Sequence, residues 1–170
     1  MVHLPPALAL LALATSGAAQ KLNSWPQHNY GASDITDNDI NTVAERNIDP
    51  QYGASYSFLF NFNVGLSGFY VQSSGDFITD YYIDATVPVD AGIYKSAEVG
   101  RVCGAAGNFT FVPLANPDTG KALYSATLFL SVTRTVGNSS TAVINEVWPV
   151  FPGDEVVDPE NTSPCPAPTK

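Results

Sequence analysis

Tyr52-Gly53-Ala54-Ser55-Tyr56-Ser57-Phe58-Leu59-Phe60-Asn61-Phe62-Asn63-Val64 alternates an apolar residue with a mostly small or polar one along its whole length. Side chains on an extended strand project to opposite faces at every second residue. The spacing therefore lays Tyr52, Ala54, Tyr56, Phe58, Phe60, Phe62 and Val64 along one face. A helix would scatter the same rings around its circumference. The stretch predicts one long, half-buried strand.

Toward the C-terminus the same period recurs in short segments. Residues 68–72 and 77–87 flank Ser73-Ser74-Gly75-Asp76, and 93–99 follows Pro88-Val89-Asp90-Ala91-Gly92. Residues 109–114 and 122–134 flank Asn116-Pro117-Asp118-Thr119-Gly120, and 141–150 follows Gly137-Asn138-Ser139-Ser140. Each interruption has turn chemistry, with Pro presetting φ and Gly or Asn accepting a positive one. Strands at such spacing predict an all-β, antiparallel fold, expected as a single barrel with a β-sandwich as the alternative. Upstream, residues 20–50 are polar. Thr36 with Asp39 resembles a helix cap, and Ile40, Val43 and Ala44 share a helical face, so a short helix is expected from 37 to 46. Residues 151–170 hold Pro152, Pro159, Pro164, Pro166 and Pro168 and read as an irregular tail behind a β domain spanning 51–150.

The first 20 residues carry no Lys, Arg, Asp or Glu, and the apolar run 7–14 leads into Ser16-Gly17-Ala18-Ala19. Residues 1–19 thus read as a signal peptide, which makes the chain secreted and extracellular. No run is long and apolar enough for a transmembrane anchor. Two cysteines, Cys103 and Cys165, lie 62 residues apart, and in an oxidising compartment they are expected to pair and tie the tail to the body. Asn108, Asn138 and Asn161 each head an N-x-[ST] triplet, so all three are candidate glycosylation sites.

The chain of 170 residues has Lys+Arg 7 against Asp+Glu 16, a net charge of −9, which excludes nucleic acid as a partner. His28 is the one histidine beyond the leader, so no multi-histidine metal site fits within one chain. Asp37-Asn38-Asp39-Ile40-Asn41 starts like a calcium loop, but Thr42 and Ile48 stand where an EF-hand needs Gly and Glu. No metal and no cofactor are expected.

Candidate chemistry concentrates on one strand face. Asp76, Ile78, Asp80, Tyr82, Asp84 and Thr86 alternate with the apolar positions of 77–87. Asp80 and Asp84 are roughly 13 Å apart on a strand, too far for a glycosidase pair. Asp80, Tyr82 and Asp84 remain candidates for polarising or positioning a ligand oxygen. Tyr56, Phe58, Phe60, Phe62 and Tyr70 are candidates for lining a cavity.

Part of the chain resembles the dirigent and allene oxide cyclase group of small barrels. The likeness is carried by Gly68-Phe69-Tyr70-Val71 before Gln72-Ser73-Ser74, by Gly92-Ile93-Tyr94-Lys95-Ser96 leading to Gly100-Arg101, by Gly104-Ala105-Ala106-Gly107-Asn108-Phe109 and by Asp118-Thr119-Gly120-Lys121-Ala122. It covers about residues 65–132, lacks that group's Arg before the first Gly-aromatic pair, and transfers a role only to Arg101. The resemblance implies a small, largely apolar ligand and a cofactor-free cyclisation or coupling steered by shape. The alternative expectation is a non-catalytic extracellular protein that binds carbohydrate or a host partner through exposed aromatics such as Trp25, Tyr81, Tyr82 or Trp148.

Overall fold

The computed structural model describes residues 22–25, 33–90, 92–156 and Cys165. The candidate signal peptide, His28 and Asn161 lie outside them.

Eight strands run in chain order: β1 (Ala44–Asn47), β2 (Ala54–Leu66), β3 (Gly68–Ser73), β4 (Ile78–Asp90), β5 (Ile93–Val102), β6 (Phe109–Pro113), β7 (Leu123–Thr135) and β8 (Thr141–Val150). They pair antiparallel throughout, into one sheet ordered β1-β8-β3-β6 and a second ordered β2-β7-β4-β5. The fold is therefore a β-sandwich, and the expected closed barrel is corrected. Each sheet ends in its own edge strands instead of closing on the other, and the core fills the space between the two inner faces.

The inward residues come from both sheets. Tyr56, Phe58, Leu66, Ile83, Leu128, Leu130 and Val132 from the larger sheet meet Phe69, Val71, Val112, Ile144 and Val147 from the smaller. Trp25 closes the aromatic part of this core, with ring centroids 5.7 Å from Phe58, 5.2 Å from Phe60 and 5.4 Å from Phe69. Its indole N–H donates to the Val147 carbonyl at 2.8 Å.

The quoted stretch forms β2 as expected, but its alternation fails where a bulge interrupts pairing between Leu59 and Val64. Phe62 consequently faces solvent at 45% exposure, whereas Tyr56 and Phe58 are buried. Just beyond the bulge, Gly65 lies under the Tyr124 ring: a Cβ there would sit 2.8 Å from Tyr124 Cε1, so a larger residue would push this exposed ring aside.

The helix expected over 37–46 does not form. Side chains of Asp37 and Asp39 accept from the backbone N–H groups of Asp39 (2.9 Å) and Asn41 (3.0 Å), and Asn38 takes a φ of 63°. These turns offer the backbone an alternative to helical pairing. A short 3-10 turn at Ser33–Ile35 precedes them, and Ala44–Asn47 then pairs with β8 as a strand. Cys103 and Cys165 form the expected disulfide. Among the described residues no helix is long and apolar enough to cross a membrane.

Candidate functional site

The outer face of the larger sheet gathers three of the four residues proposed for chemistry. β4 runs between β5 and β7, and its register sets Tyr82 opposite Arg101 and Ser131, and Asp84 opposite Glu98 and Phe129. Tyr81, Ile83 and Ala85 point into the core, so Tyr82 and Asp84 must point out. The Arg101 guanidinium lies 5.1 Å over the centroid of the Tyr82 ring and donates to both carboxylate oxygens of Glu98, through Nε at 2.8 Å and a second, shorter contact. This fork–fork pair and the ring beneath it fix the guanidinium in one orientation.

Asp84 sits half-buried beside that pair. Burial holds its carboxyl above the ordinary range, Glu98 adds to the push and Arg101 opposes it. Its carboxylate accepts no hydrogen bond from any described residue. The Phe129 ring alongside is 37% exposed, with the half-buried Ser57 paired across from it and the buried Ser131 two residues on. An apolar ring, a carboxylate without a hydrogen-bond donor among the described residues, a stacked tyrosine and a serine thus share one pleated face.

Asp80 stands apart from this group. Bulges on either side of it break the register between β4 and β7, which turns Ile78 into the core and separates Asp80 from the Tyr82 face. Its carboxylate accepts from Arg134 Nε at 2.6 Å, from the Thr79 hydroxyl at 2.8 Å and from the Gly104 N–H at 3.3 Å. It therefore clamps the segment that follows Cys103.

The aromatic candidates divide differently. Tyr56, Phe58 and Phe60 are core, and the Tyr56 hydroxyl lies within hydrogen-bonding distance of the Ala44 (3.2 Å) and Ala142 (3.1 Å) carbonyls. Tyr70 belongs to a second buried cluster with Phe111, Trp148, Val150 and Phe109 on the outer face of the smaller sheet. Trp25, Tyr81 and Trp148, expected to be exposed, are buried; Trp25 and Trp148 lie among other rings, and the Tyr81 hydroxyl pairs with that of Thr110 at 2.7 Å. Asn108 is exposed just before β6, and Asn138 is exposed at the end of a short 3-10 turn, Val136–Asn138.

A second polar constellation escaped the sequence reading. A bulge at Asn145 turns Glu146 outward from β8, beneath the segment 34–42. Glu146 is fully buried; its Oε1 accepts from the Val147 N–H at 3.2 Å, while Oε2 has no donor. Burial pushes this carboxyl up to about 7, and the adjoining Asp37 carboxylate pushes in the same direction. Beside them the Thr42 hydroxyl lies 3.0 Å from the Asp34 carbonyl, 3.0 and 3.1 Å from the two Asp37 carboxylate oxygens, and 2.8 Å from the Asp39 carbonyl. A hydroxyl has one proton to give, so these acceptors far outnumber their donors. No three His, Cys, Asp or Glu side chains converge among the described residues. The Glu146 carboxyl also meets the Asp37 side chain and the Asn38 N–H; two carboxylates with backbone carbonyls and a hydroxyl make an oxygen-only donor set of the kind a hard cation such as Ca2+ takes. The expectation of no metal site rested on the histidine count and on the spacing within 37–48, and could not weigh Glu146.

No protein-family profile matches the chain, and no curated protein matches it. Solved structures do share its architecture. The family 32 carbohydrate-binding module of Clostridium perfringens NanJ, in complex with galactose, is 19% identical with a TM-score of 0.53, over 69% of this chain and 82% of that one. CpGH89CBM32-5, also from Clostridium perfringens and in complex with GalNAc-beta-1,3-galactose, is 13% identical with a TM-score of 0.52, over 70% and 81%. A chitosan-binding module from the chitosanase/glucanase of Paenibacillus sp. IK-5, in complex with chitotriose, is 12% identical with a TM-score of 0.51, over 75% and 91%. At such identities the likeness is one of fold: this chain adopts the two-sheet sandwich found in these carbohydrate-binding modules.

Proposed function

We propose that the chain is a secreted, non-catalytic carbohydrate-binding module, and that the sugar lies on the outer face of the larger sheet across Phe129, Tyr82, Asp84 and Arg101. The observation that carries this is the open face itself. A ring at 37% exposure stands beside a carboxylate without a donor, on a sandwich of the kind seen in sugar-binding modules. Sugars present C–H surfaces to aromatic rings and hydroxyls to fixed acceptors and donors, and this face offers both. An apolar ligand inside a barrel finds less support, because the rings once assigned to it pack on one another between the sheets.

The test is a glycan array followed by titration calorimetry on the best binder. Phe129→Ala is expected to weaken binding about tenfold, or ~1.4 kcal/mol, with an unchanged far-ultraviolet dichroism spectrum. Unchanged affinity in a folded variant would move the site elsewhere.

The oxygen-rich cluster has a different role in this proposal. Ca2+ held by Asp37, Glu146 and the carbonyls of 34 and 39 would fasten the segment 33–43 onto β8. A ligand that binds only the folded state stabilises it by about 2.7 kcal/mol at a free concentration a hundredfold above Kd. Ca2+ is thus expected to raise the midpoint of thermal unfolding by several degrees, chelator to reverse the rise, and Glu146→Gln to abolish it. A melting curve indifferent to Ca2+ would refute the role.

A further inference from the structure

We propose that the sugar recognised on the Tyr82–Phe129 face is a cationic amino sugar, whose free ammonium is received by the Asp84 carboxylate. This rests on the carbohydrate-binding proposal above and narrows its ligand class.

The argument is a charge inventory of the face. Arg101 is the cation there, and its fork is taken up by both oxygens of Glu98 while its plane is stacked on Tyr82. A uronate or other acidic sugar would meet a guanidinium whose charge Glu98 already offsets, and would bring its own charge beside the Glu98 and Asp84 carboxylates. Asp84 and Glu98 against Arg101 leave this group one net negative charge, and Asp84 meets Arg101 only through space, without a hydrogen bond. The Asp84 carboxylate lies half-buried between Phe129 and Glu98 without a hydrogen-bond donor from any described residue, and a donor bearing positive charge makes the strongest hydrogen bond with a carboxylate. The exposed ring of Phe129, directly across the pair from Asp84, suits the C–H face of the same sugar residue. Long-range electrostatics act in the same sense: a net charge of −9 repels polyanionic glycans and raises the local concentration of polycationic ones. A neutral sugar would offer Asp84 hydroxyl donors but no compensating charge.

Two further consequences separate this from a merely structural role for Asp84. A carboxyl whose folded-state pKa is raised is most favourable to folding when protonated, and that contribution is lost as pH rises through the folded value. Asp84→Asn should therefore fold with undiminished stability at neutral pH while losing ligand preference. Binding should also fade with added salt and with deprotonation of the sugar amine.

The experiment titrates the secreted chain with a glucosamine hexamer and with its fully N-acetylated counterpart at mildly acidic pH and low salt. The expected result is a preference of about tenfold or more for the free amine, abolished by Asp84→Asn with its melting temperature kept. Equal affinity for the two hexamers, or preference for the acetylated one, overturns the amino-sugar assignment while leaving a carbohydrate-binding module. Binding to neither hexamer, with another glycan bound on an array, also overturns it. Binding to no glycan at all overturns the proposed function on which it rests.

Discussion

Phe58→Ala will lower the free energy of unfolding by about 3–5 kcal/mol. Phe58 is fully buried, with its ring centroid 5.7 Å from that of Trp25 and 5.6 Å from that of Phe69. Removing the ring deletes its apolar contacts and leaves a space that the neighbours cannot fill. Phe58 and Phe69 sit on opposing sheets whose hydrogen-bonded ladders hold the backbone apart, and Trp25 is pinned by its bond to the Val147 carbonyl. Urea unfolding followed by tryptophan fluorescence will show the midpoint fall with the slope retained. A loss below about 1 kcal/mol would mean that the aromatic core relaxes freely, contrary to the packing described.

Replacing both Cys103 and Cys165 with Ser will cost about 4 kcal/mol, the entropy that a cross-link of this span removes from the unfolded chain. The bridge joins residues separated by 62 positions. It attaches the tail at the end of β5, next to the segment that the Asp80 carboxylate holds through the Gly104 N–H. The effect should act mainly through the unfolded state, so the variant keeps its native dichroism and loses stability. Equal unfolding free energies for the oxidised protein and the Ser variant would show that the loop is already restrained without the bond.

The long strand was legible because its period is local: β2 needs only its own thirteen residues to display an inward stripe. Its bulge was not, because Leu59 and Val64 meet β7 partners that no local pattern specifies. The same limit explains the barrel. Alternation shows that each strand has an inner and an outer face, and it is equally consistent with one closed sheet or two facing ones; the pairing of β8 with both β1 and β3, in a sheet separate from β2, decides the matter. At 37–46 the helical spacing of Ile40, Val43 and Ala44 competed with Asp and Asn side chains that bond their own backbone, and the local turns prevailed.

The candidate site was half visible. The alternation put Tyr82 and Asp84 on one strand face, while Arg101, Glu98 and Phe129 join them only through cross-strand register, and Asp80 leaves through a bulge. A hint lay in the sequence at Phe129, an aromatic residue between the inward positions Leu128 and Leu130. Glu146 could not be joined to Asp37 without the fold, since β8 brings together groups more than a hundred residues apart.

The most direct test of the outer-face assignment is amide chemical-shift mapping of the isotope-labelled chain during titration with soluble chito-oligosaccharides, acetylated and deacetylated. The account predicts that perturbations cluster on Ser57, Tyr82, Asp84, Glu98, Arg101, Phe129 and Ser131. Perturbations confined to the loops 114–122 and 151–156, with that sheet face silent, would contradict it.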